Sequence, residues 1–290
     1  MSTAVELGLD VGATLTKIAR SGRGSEALPS FELLPSADLR AVAGHLAALD
    51  PVLVGITGGG ARRLASLLRC ETRHAGEFEA WGAGATLLLR AAQNGPALDG
   101  RFLLVSLGTG TSILLVDRGK TTRVGGTALG GGTLVGLGAA LTGKGFDELC
   151  VLAERGNSAS VDLRVSDIYG PDQIPLAGDL TAANFGKLAQ VLRTRSPGQP
   201  GDQDLADRAA GLVRLVGENV ALICAGLAAA TGTRDVVYGG STLRDNDALA
   251  RVLSEVTKMC GLHACFLPHG GFAGALGALE LARAGEGSLA

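Results

Sequence analysis

The chain has 290 residues, 46% hydrophobic but only 3% aromatic. That is enough for a sizeable aliphatic core, and its 45 glycines follow no collagen-like period. A net charge of −2 without a basic block argues against a nucleic-acid partner. Five irregularly spaced cysteines argue against a disulfide framework and for reduced thiols in a cytoplasm, and no charged and apolar leader opens the chain.

VELGLDVG and TLTKIARSG read as two strands around a small-residue turn, followed by a short strand at SFELL and a helix around ADLRAVAGHLAAL. PVLVGITGGG is an apolar strand ending in glycines. ARRLASLLR is helical, and EFEAWGAGATLLLRAAQ is a second helix with acids in its first turn, where the dipole favours them. The turn signal NGPALDG then breaks the pattern.

After the break the opening theme returns, with LGLDVGATLTKIA aligning to LVSLGTGTSILLV about 95 residues later, a hint of duplication. A long Gly-rich segment runs into FDELCVLAERG. The stretch 157–204 is polar and punctuated by Pro and Gly, and such loops are more often functional than idle. An apolar helix spans about 205–231. Arg214 and Glu218 inside it mark a buried helix and not a membrane span. DVVYGGSTLRDN is a strand with a Gly/Ser turn, and GGFAGALGALELAR is the closing helix. Strands alternate with helices, so the class is α/β.

Common nucleotide fingerprints fail. GAALTGKG lacks the final Ser or Thr of a P-loop and has no apolar strand before it, and no GxGxxG sits between a strand and a helix. Cys260, His263, Cys265 and His269 cluster in CGLHACFLPH, but the spacing is not that of a zinc site, and a buried strand with small thiols is expected. What remains is four small-residue turns: DVGATLTK, LGTGTS, LGGGTLVG and YGGSTLRDN. Glycines let backbone N–H groups approach phosphate oxygens and threonines add donors, although one such turn alone would read as an ordinary hairpin.

Four together resemble the acetate and sugar kinase, Hsp70 and actin superfamily, in which a strand ends in Asp-x-Gly-x-Thr and a hairpin cradles the triphosphate. The resemblance implies duplicated ribonuclease H-like (actin-like ATPase) domains. An N-terminal lobe would span residues 1–97 and a C-terminal lobe 98–290, with ATP in the cleft between them. Asp10 would orient a hydrated Mg²⁺. Val11, Gly12, Ala13, Thr14, Leu15 and Thr16 would wrap the phosphates, and Lys17 would add charge.

RVGGTALGGGTLVGLGAALTG, the segments FDELCVLAERGNSASVDLRVSDIYG and GDLTAANFG, VSLGTGTSI and the closing HGGFAGALGALE are similar to the type II (eukaryotic-like) pantothenate kinases, in order from Gly8 to about Glu280. Three departures are Ala13 in place of a glycine, Trp81 in the Gly/Ala-rich run after Glu77, and the loop Ser196–Asp204.

The family phosphorylates pantothenate with ATP and Mg²⁺, the first committed step toward coenzyme A, and is typically a cytoplasmic homodimer. The chemistry needs positioning, charge neutralisation and a base for the hydroxyl proton. Residue types alone do not choose between Glu77 and Glu79 as base; the resemblance selects Glu77. It further implies Arg123 on the phosphoryl group or substrate, and Thr109 on phosphate. Gly131, Gly132, Thr133, Leu134 and Val135 would run along the nucleotide, with Phe146 near adenine and Ser241 on the adenosine side. Asp179–Asn184 would cap the pantothenate pocket or the dimer edge. Two other readings stand beside this one. The first is a kinase of the same fold acting on a pantetheine-like alcohol, an amino sugar or a natural-product hydroxyl. The second is a non-catalytic ATP-binding regulator, against which Asp10, Glu77 and Arg123 speak.

Overall fold

The computed structural model describes residues 4–22, 27–92, 100–170, 173, 177–194, 201–285 and 288–289. A hairpin of β1 (Val5–Val11) and β2 (Leu15–Gly22) is extended by β3 (Ser30–Pro35). After α1 (Leu39–Ala47), β4 (Pro51–Thr57) lies parallel to β1. After the short α2 (Ala61–Ala65), β5 (Thr72–His74) lies parallel to β4. Helix α3 (Glu77–Ala92) leaves this sheet.

The pattern then repeats. β6 (Arg101–Leu107), β7 (Thr111–Asp117) and β8 (Lys120–Thr127) form a meander, followed by α4 (Gly131–Thr142) and α5 (Phe146–Arg155). A small ribbon of β9 (Leu163–Arg164) and β10 (Thr181–Ala183) leads to α6 (Leu188–Thr194) and the 30-residue α7 (Asp202–Thr231). β11 (Asp235–Gly239) pairs parallel with β6 and, after α8 (Asp247–Met259), β12 (His263–Phe266) pairs parallel with β11. Helix α9 (Ala273–Ala284) and β13 (Ser288–Leu289) close the chain. The sheet orders β5-β4-β1-β2-β3 and β12-β11-β6-β7-β8 match strand for strand, with β13 added outside β5. The duplication hinted at by two hairpins thus extends through both sheets.

Helix α9 joins the two halves. It follows the second sheet in sequence yet covers the first. A β-carbon on Gly8 would lie 2.0 Å from the Ala275 carbonyl oxygen, and one on Gly55 2.0 Å from that of Ala278. Against α3, the same test at Gly277 meets the Ala80 carbonyl and at Gly84 the Ala273 carbonyl, so the two helices touch backbone to backbone. A lobe drawn as residues 98–290 therefore lends its last helix and strand to the N-terminal sheet, and the 97/98 boundary lies outside the described residues.

Several elements differ from expectation. The Gly-rich segment after β8 is helix α4, because one face packs Leu134 and Gly138 into the core despite poor intrinsic propensity. GAALTGKG is the end of that helix, capped by Gly143 at φ +71°, and not a phosphate loop. The helix read at ARRLASLLR shrinks to five residues. β5, β8 and α8 were not anticipated, although Asn246 caps α8 through its side chain in the usual way. Residues 202–204 of the Ser196–Asp204 loop form the first turn of α7, and 196–200 lie outside the described residues, as do 94–99 of the NGPALDG turn.

The CGLHACFLPH segment is a half-exposed edge strand and not a buried one. His263 bonds Asp235 at 3.0 Å, His269 packs beside Phe31, and among the described residues no three His, Cys, Asp or Glu side chains gather for a metal.

Helix α7 is long and apolar enough to cross a membrane by composition, yet it carries a buried ion pair. Arg214 Nε meets Glu218 Oε2 at 2.8 Å, and the ribbon answers: the Thr181 N–H donates to Glu218 Oε1 at 2.7 Å, and Arg214 donates to the Asp179 carbonyl. Asp179–Thr181 is thus tied to α7 by buried charge.

Candidate active site

The tips of the two hairpins meet. Thr14 Oγ1, in the β1–β2 turn, lies 3.4 Å from Thr109 Oγ1, in the β6–β7 turn. Below them is a cleft of about 400 Å³ lined from both halves of the molecule. Small residues from both tips line it, and they let phosphate oxygens come close to the backbone.

Asp10 ends β1 at the floor of this cleft and is buried. The hairpin register sets Asp10 opposite Lys17, bringing Nζ to 3.3 Å from Oδ2. Burial raises the Asp10 pKa, and Lys17 opposes the rise. Two glycines make room for the pair. A β-carbon on Gly12 would sit 3.0 Å from Lys17 Nζ, and one on Gly58, already at φ +93°, would sit 2.7 Å from Asp10 Oδ1.

Glu77 is the first residue of α3 and faces the cleft. No hydrogen bond reaches its carboxylate among the described residues. Burial raises its pKa, Asp10 adds to the rise, and Lys17 counters it. Glu79 does not line the cleft: its carboxylate folds back over Gly76, with Oε2 2.1 Å from where a β-carbon there would stand. The two acids that residue type could not separate are thus separated by direction.

Arg123 enters from β8. The β7–β8 register shifts between Ile113 and Leu114, leaving Val124 unpaired, and such a bulge re-aims the neighbouring side chain. Arg123 makes no ion pair or hydrogen bond among the described residues and lines the cleft. The bare backbone of Gly126 accommodates its guanidinium, since Nη2 lies 2.7 Å from where a β-carbon would be.

Of the residues expected to hold nucleotide, Asp10, Gly12, Ala13, Thr14, Leu15, Lys17, Thr109 and Ser241 line the cleft. Val11 and Thr16 do not: both are buried in the first half, where the Thr16 hydroxyl bonds Ser36 at 2.9 Å. Gly131 to Val135 are not cleft walls either. The N–H groups of Gly131 and Gly132 donate to the carbonyls of Gly108 and Thr109, each at 2.8 Å. The Thr133 hydroxyl returns to Ala128, Leu134 is core, and Val135 faces outward. Their work is to brace the second hairpin tip from behind, helped by the hydroxyl of Thr242, which donates to the Gly108 carbonyl at 2.9 Å. Phe146 packs against the larger core and lines neither this cleft nor the next cavity. Ser106 and Gly58 line the cleft without having been singled out, beside Ser112 and Gly240 of the small-residue turns LGTGTS and YGGSTLRDN.

A second cavity of about 320 Å³ shares Gly240 and Ser241 with the first. Its walls are apolar and aromatic: Leu33, Leu243, Leu267 and Phe272, with His269 and Arg244 alongside. Phe31 stacks on Phe272 at 4.7 Å and so links the first sheet to this end of the second. The donor set near Asp10 suits Mg²⁺, a hard cation that takes one or two carboxylates, phosphate oxygens and its own waters. Lys17 bonds Oδ2, and no hydrogen bond reaches Oδ1 among the described residues.

A model of the Fumble family matches residues 37–280. The type II pantothenate kinase of Staphylococcus saprophyticus is 33% identical over 280 residues, spanning 96% of this chain and 100% of its own. That of Oceanobacillus iheyensis is 35% identical over 275 residues, spanning 94% and 98%. Among solved structures, component A of the Acidaminococcus fermentans (R)-2-hydroxyglutaryl-CoA dehydratase aligns over 98% of this chain and 99% of its own with a TM-score of 0.64 at 18% identity. A ROK family glucokinase from Streptomyces griseus in complex with glucose and AMPPNP aligns over 97% and 100% with a TM-score of 0.54 at 17% identity. At such identities these two speak for the fold alone, and they agree on the two-lobed architecture of sugar kinases and actin-like ATPases.

Proposed function

The chain belongs to the Fumble family of type II pantothenate kinases, and from that premise we propose that its cleft transfers the γ-phosphoryl group of ATP to the primary alcohol of pantothenate. The product, 4′-phosphopantothenate, opens the route to coenzyme A. The observation that carries this reading is the set of three groups brought together from distant parts of the chain: the Asp10–Lys17 pair, the unbonded carboxylate of Glu77 and the unpaired guanidinium of Arg123.

Each has a role that follows from its chemistry. The hairpin tips at Gly12–Thr14 and Gly108–Gly110 hold the phosphates, and Lys17 sets positive charge below them. Bound with the nucleotide, Mg²⁺ would be held through Asp10 and would offset charge on the β- and γ-phosphate oxygens. Glu77 takes the proton of the pantothenate hydroxyl as its oxygen bonds the γ-phosphorus. The bond from γ-phosphorus to the β–γ bridging oxygen breaks, and ADP leaves. Arg123 meets the charge on the transferring group or the polar groups of the acceptor. The nucleobase would lie toward Ser241, where the apolar cavity adjoins the cleft.

A coupled ADP-release assay with ATP, Mg²⁺ and pantothenate tests the reading, with pantetheine and N-acetylglucosamine as comparison acceptors. Pantothenate is expected to give the highest kcat/KM. ADP release driven only by another acceptor would move the assignment to that alcohol, and nucleotide binding without any turnover would leave a regulator.

The protein also works as a homodimer in this reading. Val135 and Leu137 on α4, Val151 on α5 and Leu222 on α7 are exposed apolar side chains on the outer helical layer of the second half. Sedimentation at micromolar concentration is expected to give twice the chain mass, and Leu137→Glu is expected to return it to one. Its five free thiols suit a reducing cytoplasm.

A further inference from the structure

We propose that Trp81 is a positioning residue for Asp10, holding that carboxylate through one bridging water from its indole N–H. The inference rests on the kinase reading above but concerns a residue that reading does not use.

Trp81 is the only tryptophan in the chain. It stands one helical turn after Glu77 on α3, so the two side chains share a face. It is 5% exposed, and what it exposes is part of the cleft wall. The ring packs in a core with Leu104, Leu114 and Val237 from the second sheet. Its nitrogen turns the other way, toward the first half of the molecule. Trp81 Nε1 and Asp10 Oδ2 each lie 2.9 Å from the point a β-carbon on Gly274 would occupy. The two atoms are therefore within two hydrogen-bond lengths of each other, the span that one water bridges.

The indole N–H has no protein hydrogen-bond partner among the described residues, and it is not among their polar atoms sealed from solvent, so a water can reach it. Position 274 must also stay bare: a methyl there would press on the carboxylate and the indole together.

The consequence falls on which oxygen of Asp10 does what. Lys17 alone holds Oδ2, at 3.3 Å, a long contact that permits rotation of the carboxylate. A second donor on Oδ2 fixes the rotation and leaves Oδ1 presented to the hydrated cation. Partners of a metal-holding group at this remove typically matter by one to two orders of magnitude in metal affinity.

The test replaces Trp81 with β-(3-benzothienyl)alanine, which keeps the bicyclic shape and removes only the N–H, with Trp81→Phe as a second variant. Binding of the non-hydrolysable analogue AMPPNP is titrated calorimetrically against Mg²⁺, a readout that needs no acceptor and no turnover. For the isostere, the Mg²⁺ concentration at half-saturation is expected to rise about tenfold, with the melting temperature and the KM for pantothenate unchanged. In an Asp10→Asn background the same replacement is expected to have no further effect on that concentration. An isostere that binds Mg²⁺ and AMPPNP like the natural chain overturns the proposal, as does an effect that persists in full without the Asp10 carboxylate. Should pantothenate prove not to be the acceptor, the titration still reads the Trp81–Asp10 link, so the two failures remain distinct.

Discussion

Glu77→Gln is expected to lower kcat with pantothenate by about 10²–10⁴-fold while leaving nucleotide binding intact. Glutamine keeps the shape and polarity of the side chain but cannot accept the hydroxyl proton. The Glu77 carboxylate has no hydrogen-bond partner among the described residues, so amidation strands no neighbour and the fold is expected to melt at an unchanged temperature. Glu79→Gln is the control. Its carboxylate curls over Gly76, away from the cleft, and its kcat is expected to stay within about threefold of the natural chain. A coupled assay beside AMPPNP titration checks both variants, and a Glu77→Gln enzyme with unchanged kcat would remove Glu77 as base.

The pH profile carries a second, independent signature. A base must be ionised to work, so activity falls as pH drops through the Glu77 pKa. Burial and the nearby Asp10 charge raise that pKa, with Lys17 opposing. The acid limb of kcat/KM is therefore expected above the ordinary glutamate value of about 4.3, and it should vanish in Glu77→Gln.

The second large effect is expected at Arg123. Arg123→Ala should lower kcat/KM by about 10²–10³-fold, the range for removing one group that meets charge developing in a transition state. Arg123→Lys should recover only part, because an ammonium restores the charge but not the planar fork. No partner is lost with the guanidinium among the described residues, so stability should move by no more than about 0.5 kcal/mol. The split between constants decides what Arg123 holds. A loss carried by kcat places it on the phosphoryl group in flight, and a loss carried by KM places it on the bound acceptor. An unchanged kcat/KM in Arg123→Ala would exclude it from the site.

What the sequence made legible was whatever chemistry is written locally. Asp10 and Lys17 are seven residues apart in one hairpin, so a strand-turn-strand reading already sets them face to face. Thr109 was legible because its turn repeats the first. The Gly131–Val135 segment is ambiguous in one dimension because glycines that let a ligand approach and glycines that let a neighbouring backbone approach look alike. Here the approaching backbone is that of Gly108–Gly110. Phe146 is ambiguous because an aromatic residue at a helix start can face either a ligand or the core. Gly58 carries no motif and lines the cleft through the register of strands on both sides. The orientation of Trp81 is likewise a property of the packed pair α3 and α9, which no local pattern encodes.

The seating of α9 on Gly8 and Gly55 has a consequence for how the molecule comes into being. Synthesis delivers the first sheet early, but that sheet lacks the cover for β1 and β4 until Ala273–Ala284 has left the ribosome. The nascent chain therefore carries an open apolar face until α9 is made. The floor beneath Asp10 closes only when Gly274 arrives beside it. The first lobe does not mature ahead of the second; both wait for α9.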